Sequence, residues 1–342
     1  MLIRRQPKYP NKFKYASILV LVMYFIVSNI YTSQAYLYIS PGIKILKSGL
    51  HLVISSIAIC RPYVAADNRS FYERDYPQEN LPRRLSNSSY ENVVRQLHSF
   101  RLVILSCARN VASNVDRFRS RSEAILDLFH PSSSVHVLES DSSDGTAEVL
   151  RRWSRVQVYS YGRLEPKYYE RTDRLAYCRN TLFEKVYNLT ADYFLIVDFD
   201  RFSTTVASFL TNFQYDTDDW SVMTASRVDS YYDIWALRTL SDTIVNYDVW
   251  HRVWDLEVSP NNYCRRSVSE QIIGIHKKRI PIEHGLIEVR SAFGGAGLYK
   301  ANVTRKCQYN GKGPTCEHVS FHLCIRKTYQ GRIFINPAFL VS

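Results

Sequence analysis

The sequence predicts an α/β domain whose sheet is mostly parallel and flanked by helices. Short apolar runs alternate with longer stretches in which apolar residues recur at helical spacing, and strands that alternate with such helices pair in parallel. Two of the apolar runs end in acidic residues. The chain has 342 residues, of which 46% are hydrophobic, and only 12 are glycine and 12 proline, so it can bury a large core and is unlike a disordered chain.

The elements follow one another along the chain. The predicted strands are residues 102–105, 135–138, 156–159 and 193–197. The predicted helices lie between them: one reaches about residue 129, and the others cover residues 146–153 and 172–187. In the last of these, apolar residues recur at the spacing of one helix face, at Leu175, Cys178, Leu182, Phe183 and Val186.

The acidic residues follow the second and fourth predicted strands. Residues 139–146 read Glu-Ser-Asp-Ser-Ser-Asp-Gly-Thr, and Asp198 and Asp200 close the fourth apolar run. The carboxyl ends of parallel strands are where an open α/β sheet binds its ligand. Asp198 and Asp200 are two residues apart, so extended backbone points both carboxylates to one side, where a hard divalent cation would find oxygen ligands. The alternative is a solvated turn after a strand.

The N-terminal third has a different composition. We interpret residues 1–15 as a basic cytoplasmic tail, 16–32 as an apolar signal anchor, 33–98 as a polar stem and 99–342 as the catalytic domain. This predicts a single-pass type II protein of the endoplasmic reticulum or Golgi membrane with a luminal catalytic domain. The alternative is a cleaved signal peptide, because residues 32–35 are small or polar.

Other features of the sequence agree with a catalytic domain in the lumen of the secretory pathway. Glycosylation sequons begin at Asn68, Asn87, Asn188 and Asn302. Seven cysteines suit an oxidising compartment and leave at least one of them outside an intrachain disulfide; a pair between Cys307 and Cys316 would close a short polar loop. The net charge of +12 comes from scattered basic residues without an aromatic-interleaved stripe, so we expect no nucleic-acid partner.

The order of these motifs resembles a known family. The strand before Ser-Cys-Ala-Arg-Asn at 106–110, the acidic cluster at 139–146 and the later aspartate pair resemble the nucleotide-sugar-binding half of GT-A-fold glycosyltransferases, a Rossmann-like fold. Three further segments resemble the fungal capsule-associated α-1,3-mannosyltransferase family: Arg-Leu-Ala-Tyr-Cys-Arg-Asn at 174–180, Tyr-Asp-Ile-Trp-Ala-Leu-Arg at 232–238 and Cys-Glu-His-Val-Ser-Phe-His at 316–322. The resemblance covers roughly residues 101–337.

The resemblance implies a role for each matching residue. The donor's base and ribose would contact Ala108, Arg109, Glu139 and Asp141, with residues 144–146 capping a helix instead, and its diphosphate would contact Arg174 and Asn180. Asp198, Asp200 and His318 would bind Mn²⁺ or Mg²⁺, and Glu317 would act as an acid or base, so that the implied catalytic residues are Asp198, Asp200 and Glu317. Asp233 and Arg238 would contact a donor or acceptor sugar, unless their segment is an ordinary core strand.

The implied activity is transfer of a hexose from a nucleotide diphosphate sugar to a carbohydrate acceptor. GDP-mannose is the expected donor, with UDP-sugars close behind. In a retaining mechanism the departing diphosphate itself can take the acceptor proton, and then no protein base exists. A sugar nucleotidyltransferase and a catalytically silent nucleotide-sugar-binding protein are the alternatives.

Overall fold

The computed structural model describes residues 37–39, 57–74, 78–313 and 315–341. The predicted tail and anchor, residues 1–32, lie outside the described residues. None of the described helices is both long and apolar enough to cross a membrane. The chain divides into two units, one formed by Met1–Ala66 with Val253–Gln271 and the other by Asp67–Arg252 with Ile272–Ser342.

The smaller unit is held together by backbone pairing and a disulfide. Strands β1 (Leu37–Ile39) and β2 (Ile57–Ile59) pair in antiparallel fashion. Cys60 is disulfide-bonded to Cys264. Next to this bond, the Arg61 amide donates to the Asn262 carbonyl at 2.8 Å, and the Cys264 amide donates to the Arg61 carbonyl at 2.8 Å. These contacts join two parts of the chain that are far apart in sequence.

The larger unit is built on a sheet of nine described strands. In space their order is β5-β4-β3-β6-β10-β7-β11-β9-β8. Their bounds are β3 Leu102–Ala108, β4 Ser134–Glu139, β5 Val156–Ser160, β6 Tyr193–Asp198, β7 Val222–Arg227, β8 Arg238–Thr239, β9 Ile287–Ser291, β10 Ala296–Lys300 and β11 Ile333–Val341.

The sheet is mixed, so the prediction of a mostly parallel sheet is wrong for most of its second half, although β7 and β11 pair in parallel there. Strands β3, β4, β5 and β6 pair in parallel, as predicted. Strand β10 then lies antiparallel to both β6 and β7, and β9 lies antiparallel to β11 and β8. The strand–helix alternation that specifies parallel pairing stops after β6, because short strands and irregular segments follow it.

One of the described helices lies in the predicted stem. Their bounds are α1 Asn87–Gln96, α2 Val115–Leu126, α3 Thr146–Arg151, α4 Arg171–Val186, α5 Val206–Leu210, α6 Val249–Glu257, α7 Arg265–Ile272 and α8 Glu317–Tyr329. The larger unit begins at Asp67, ahead of the predicted start at residue 99. Ser86 caps α1 by accepting from the Ser89 amide at 3.2 Å, and the Leu85 amide donates to the Gln214 carbonyl at 2.9 Å.

The core fixes the end of β6. Side chains of β3, β4 and β6, among them Ile104, Val137 and Leu195, are fully buried. Phe199 continues this core beyond the end of β6, since it is 2% exposed and stacks on Phe118 of α2 with ring centroids 4.0 Å apart. Burial of Phe199 therefore holds the aspartates on either side of it at the carboxyl edge of the sheet.

Candidate active site

A cleft of about 470 Å³ opens at the carboxyl ends of β3, β4 and β6, beside the first turns of α4. Six predicted site residues line it: Ala108, Arg109, Asp141, Arg174, Asp198 and Asp200. The structure thus brings together the acidic ends of two strands that are about 60 residues apart in sequence. This placement follows from the parallel pairing of β4 and β6 on either side of β3.

Asp141 lines this cleft, and its carboxylate is held by the loop that follows β5. Its backbone is left-handed, with φ of 57°, and its Oδ1 accepts from the amides of Leu164 at 2.9 Å and Glu165 at 3.0 Å. Oδ2 is buried and has no hydrogen-bond partner. Although burial acts to raise the pKa of Asp141, hydrogen bonds from Glu165, Ser140 and Leu164 lower it overall. The carboxylate is therefore ionised and adds a negative charge to this end of the cleft.

Glu139 and Arg109 have partners of their own. Glu139 Oε1 accepts from the Ser142 amide at 3.2 Å, and Oε2 accepts from the Ser160 hydroxyl. Glu139 lines an adjoining depression of about 470 Å³, to which Asp141 also contributes. Arg109 forms an exposed ion pair with Glu165 at 3.4 Å. A ligand can thus replace the partner of Arg109 at low cost, whereas Glu139 shapes the loop behind Asp141.

Asp198 and Asp200 both line the cleft and supply the oxygen donors that Mn²⁺ or Mg²⁺ prefers. The Asp198 side chain is 28% exposed, and the Asp200 side chain is 58% exposed. Burial raises the pKa of Asp198 to about 7, against the opposing charge of Arg179. Among the described residues no cluster of three or more His, Cys, Asp or Glu is placed to hold a metal ion. Asp198 and Asp200 would be the carboxylate ligands of such an ion.

Arg179 joins Asp198 to Glu317 in a buried network. Its guanidinium is 5% exposed, and it donates to Glu317 Oε1 and to Asp198 Oδ1, the latter at 3.2 Å. The guanidinium carbon lies 5.5 Å from the ring centroid of Phe293 and 5.4 Å from that of Tyr309. Glu317, the predicted acid or base, is thus an ion-pair partner of Arg179, with a side chain that is 5% exposed.

A second cavity of about 240 Å³ adjoins the cleft and shares Arg171, Leu175 and Asp198 with it. The other residues that line it are Arg179, Tyr232, Asp233, Ile234, Trp235, Val249, Trp250, Ile273, Lys277, Phe293, Cys316, Glu317 and His318. Asp233, whose contact with a sugar stays a prediction, lines this cavity; residues 232–237 form a loop and a turn, and Arg238 begins β8. The cavity therefore continues the cleft on the far side of Asp198 from β4.

The glycine-rich turn at 293–297 forms hydrogen bonds with Asp198, which lines both cavities, and with Asp233, which lines the second. The Gly294 amide donates to Asp233 Oδ2 at 3.1 Å, and the Asp198 amide donates to the Gly295 carbonyl at 2.9 Å. The Ala236 amide donates to Asp233 Oδ1 at 3.4 Å. Burial raises the pKa of Asp233, and these backbone hydrogen bonds oppose the rise. A single turn thus positions Asp198 and Asp233 relative to each other.

His318 lines the same cavity as Asp198, and its role as a metal ligand stays a prediction. Its ring is 3% exposed and stacks on Phe293 with centroids 3.7 Å apart. Nε2 lies 3.9 Å from Glu317 Oε1, and Nδ1 has no hydrogen-bond partner. Burial lowers the pKa of His318, with Arg179 adding to the effect, so the imidazole is neutral, the form that can bind a metal.

Three predicted ligand contacts are occupied by the protein itself. Arg174 lines the cleft, but its Nη1 donates to the carbonyls of Tyr168 at 2.8 Å and Tyr169 at 2.6 Å. Asn180 makes two hydrogen bonds with the Tyr309 backbone, at 2.9 and 2.8 Å. Arg238 donates to the carbonyls of Trp235 at 2.9 Å and Leu237 at 2.7 Å. Asn180 and Arg238 line neither the cleft nor the second cavity, and they hold loops in place.

A disulfide that the sequence did not predict joins two elements that line the cleft. In the described part of the chain, disulfides join Cys60 to Cys264, Cys107 to Cys178 and Cys307 to Cys324, and Cys316 is free and buried. The suggested pair of Cys307 with Cys316 is therefore wrong, because Cys307 instead meets Cys324, two turns into α8. Cys107 and Cys178 both line the cleft and join the end of β3 to α4.

Comparisons with known proteins return structures but no family. No protein-family model matches the chain, and no curated protein matches it. The mannosyltransferase PcManGT from Pyrobaculum calidifontis, solved with GDP-Man and Mn²⁺, aligns with a TM-score of 0.42 and 13% identity over 71% of this chain and 56% of its own. Residues 1–349 of S. aureus TarS align at 0.39 and 11% identity, over 70% and 59% of the two chains.

A third solved structure is similar to this chain to a comparable degree. Glucosyl-3-phosphoglycerate synthase from Mycobacterium tuberculosis, solved with Mn²⁺, UDP-glucose and phosphoglyceric acid, aligns with a TM-score of 0.37 and 11% identity, over 69% and 68% of the two chains. This chain spans less than two thirds of the length of PcManGT and of the TarS fragment. All three TM-scores lie below 0.5, so the activity of this chain does not follow from these alignments.

Proposed function

We propose that this chain is a metal-dependent glycosyltransferase that moves a hexose from a nucleotide diphosphate sugar to a carbohydrate acceptor. One observation carries the proposal. Asp198 and Asp200 line the same cleft as Asp141, and Asp198 also lines the second cavity. A nucleotide site and a sugar site thus meet at a carboxylate suited to a divalent cation.

The residues where the cleft meets the second cavity can each be assigned a role in the reaction. We assign Asp141 to the ribose, while Arg109 and Arg171 offer guanidinium donors to the diphosphate. Asp198 and Asp200 would hold a divalent cation that supplies charge neutralisation of the diphosphate. The bond between the anomeric carbon and the phosphate oxygen breaks, and a bond to the acceptor oxygen forms. The products are the glycoside, the nucleoside diphosphate and one proton.

The finer assignments extend this proposal. We infer GDP-mannose as donor and α-1,3-mannosyl transfer from the motifs at 174–180, 232–238 and 316–322. We infer a type II protein of the endoplasmic reticulum or Golgi membrane from the apolar segment at 16–32. Two observations support a luminal domain: the sequon residues Asn68, Asn87, Asn188 and Asn302 are all exposed, and six of the seven described cysteines form disulfides.

The test is release of nucleoside diphosphate by the purified full-length chain. With Mn²⁺, we expect release from GDP-mannose or, failing that, from a UDP-hexose, and its loss on chelation. Asp198→Asn keeps an acceptor for Arg179 but removes the ligand charge, so we expect turnover to fall by about 10²-fold or more. Asp127→Asn is the matched control, since Asp127 is 67% exposed and pairs with Arg155 at the surface.

Two results would contradict the proposal. One is no diphosphate release from any nucleotide sugar by the unaltered chain, which favours a binding protein. The other is release of pyrophosphate from a nucleoside triphosphate and a sugar 1-phosphate, which favours a nucleotidyltransferase.

A further inference from the structure

The second cavity has an aromatic wall that the donor site does not use. Trp250, in the first turn of α6, lines this cavity although it is 42% exposed. Trp235 is half-buried on the same cavity, beside the carboxylate of Asp233. We call this space the tryptophan cavity. An indole that is exposed and also lines a cavity leaves a large apolar ring face available to a ligand.

One carboxylate holds the Trp235 indole and also the start of α6, which carries Trp250. Asp248 Oδ1 accepts from the amides of Trp250 at 3.0 Å and His251 at 3.2 Å, at the start of α6. Asp248 Oδ2 accepts from the Trp235 indole N–H at 2.8 Å and from Arg238 at 3.4 Å. The Asp248 side chain is 9% exposed and that of Arg238 is 8% exposed. The aromatic wall is therefore built before any ligand arrives, which lowers the entropy cost of binding.

Asp233 gives the cavity a polar side. Each of its carboxylate oxygens accepts one backbone hydrogen bond, from Ala236 or Gly294. Each oxygen keeps a further lone pair that can accept from a hydroxyl group. The cavity volume of about 240 Å³ lies below the roughly 300–1,000 Å³ of sites for drug-sized ligands, so the space suits a single ring. A ring with one apolar face and hydroxyl groups on its edge is a pyranose.

The position of the tryptophan cavity indicates which sugar it takes. It meets the nucleotide cleft only at Arg171, Leu175 and Asp198, and none of the β3 and β4 residues that line the cleft line the cavity. A ring in the cavity therefore reaches the reaction centre from the side away from the nucleotide. We propose that the tryptophan cavity is the acceptor subsite, where a pyranose stacks on Trp250 and donates hydroxyl hydrogen bonds to Asp233. The assignment of this pyranose as the acceptor rests on the proposed function.

The experiment measures binding of simple sugars rather than turnover. The probes are the methyl α- and β-pyranosides of glucose, mannose and galactose, observed by saturation-transfer NMR with the full-length chain. We expect at least one of them to bind, and to remain bound when GDP or UDP is saturating with Mn²⁺. Trp250→Ala should weaken that binding by about tenfold or more, and Trp250→Phe should restore most of it. Tyr169→Ala is the control, because Tyr169 is 84% exposed and lines neither cavity.

Three outcomes would overturn the inference: no pyranoside binds, binding survives Trp250→Ala with an unchanged melting temperature, or the nucleotide displaces the pyranoside. If Trp250→Ala does not fold, Trp250→Leu takes its place, with the same expected loss. The proposed function fails on a different observation, the absence of diphosphate release. The two failures can therefore be told apart.

Discussion

Gly294 is the residue on which the relative position of Asp198 and Asp233 most directly depends. Its φ is 68°, a region that favours glycine, and a Cβ there would lie 2.1 Å from the Ala225 carbonyl oxygen. Gly294→Ala should therefore cost more than the roughly 1–2 kcal/mol of the left-handed conformation alone. We also expect slower diphosphate release, since the turn must move away from Asp233. Denaturant unfolding and the release assay measure the two effects.

The control for this prediction is a glycine with the same conformation and free space. Gly313 has φ of 76° and no atom within 4 Å of the position of an added Cβ. Gly313→Ala should cost about 1–2 kcal/mol and leave turnover within about twofold. Equal effects of the two substitutions on turnover would show that the glycine turn does not position the aspartates.

The sequence predicted the position of the aspartates in the site better than that of Arg238 and Asn180. Asp141, Asp198 and Asp200 are short side chains at strand ends, so the strand prediction alone places them at the cleft. Arg238 and Asn180 are specified by partners that are distant in sequence or set by loop geometry. A pattern of local residues carries no information on those partners, and both side chains were predicted as ligand contacts.

At the scale of elements, the disulfide between Cys107 and Cys178 joins β3 to α4 beneath the cleft. The bond closes a loop with a sequence separation of 71 residues, for which the chain-entropy account gives roughly 4 kcal/mol. Changing both cysteines to alanine should therefore lower the free energy of unfolding by about 2–4 kcal/mol. We also expect weaker binding of GDP or UDP, measured by calorimetry at a temperature where the variant is folded.

A second disulfide separates the stability effect from the effect on the site. Cys307 and Cys324 are 17 residues apart, and neither lines the cleft or the tryptophan cavity. Changing both of these to alanine should lower stability by about 3 kcal/mol in the same account, with nucleotide affinity unchanged. If nucleotide affinity is the same with and without the Cys107–Cys178 bond, that bond stabilises the fold without shaping the cleft.

At the scale of the whole molecule, the sequence predicted the half of the sheet that forms the nucleotide cleft. Strands β3 to β6 are short apolar runs separated by helices, and each of them agrees with its prediction to within three residues at either end. Strands β7 to β11 were not predicted, because their pairing is non-local: β10 lies between β6 and β7, which precede it by about 70 residues or more. Most residues that line the tryptophan cavity follow β6 in the chain, so local patterns could not bring them together with Asp198 and α4.

The pH dependence of stability should report a buried histidine in the parallel half of the sheet. Burial, with repulsion from Arg101, lowers the pKa of His136 to about 4 from an ordinary value of 6.5. His136 Nε2 and Nδ1 each lie 3.0 Å from a hydroxyl, of Ser134 and Tyr159 respectively. Below pH 6.5 the His136 imidazole is protonated in the unfolded chain, whereas in the folded chain it stays neutral down to about pH 4. Stability is therefore lost as the pH falls through this window.

A comparison of two proteins at two pH values isolates this group, because Asp198 and Asp233 have raised pKa values and act in the opposite direction. Between about pH 7 and pH 5, His136 should remove about 2 kcal/mol of stability that His136→Gln does not lose. The measurement is the free energy of unfolding in urea for both proteins at both pH values. The variant is less stable at pH 7 because it loses hydrogen bonds, but its curve against pH should be flatter. Parallel curves for the two proteins would mean that the pKa of His136 is the same in the folded and the unfolded chain.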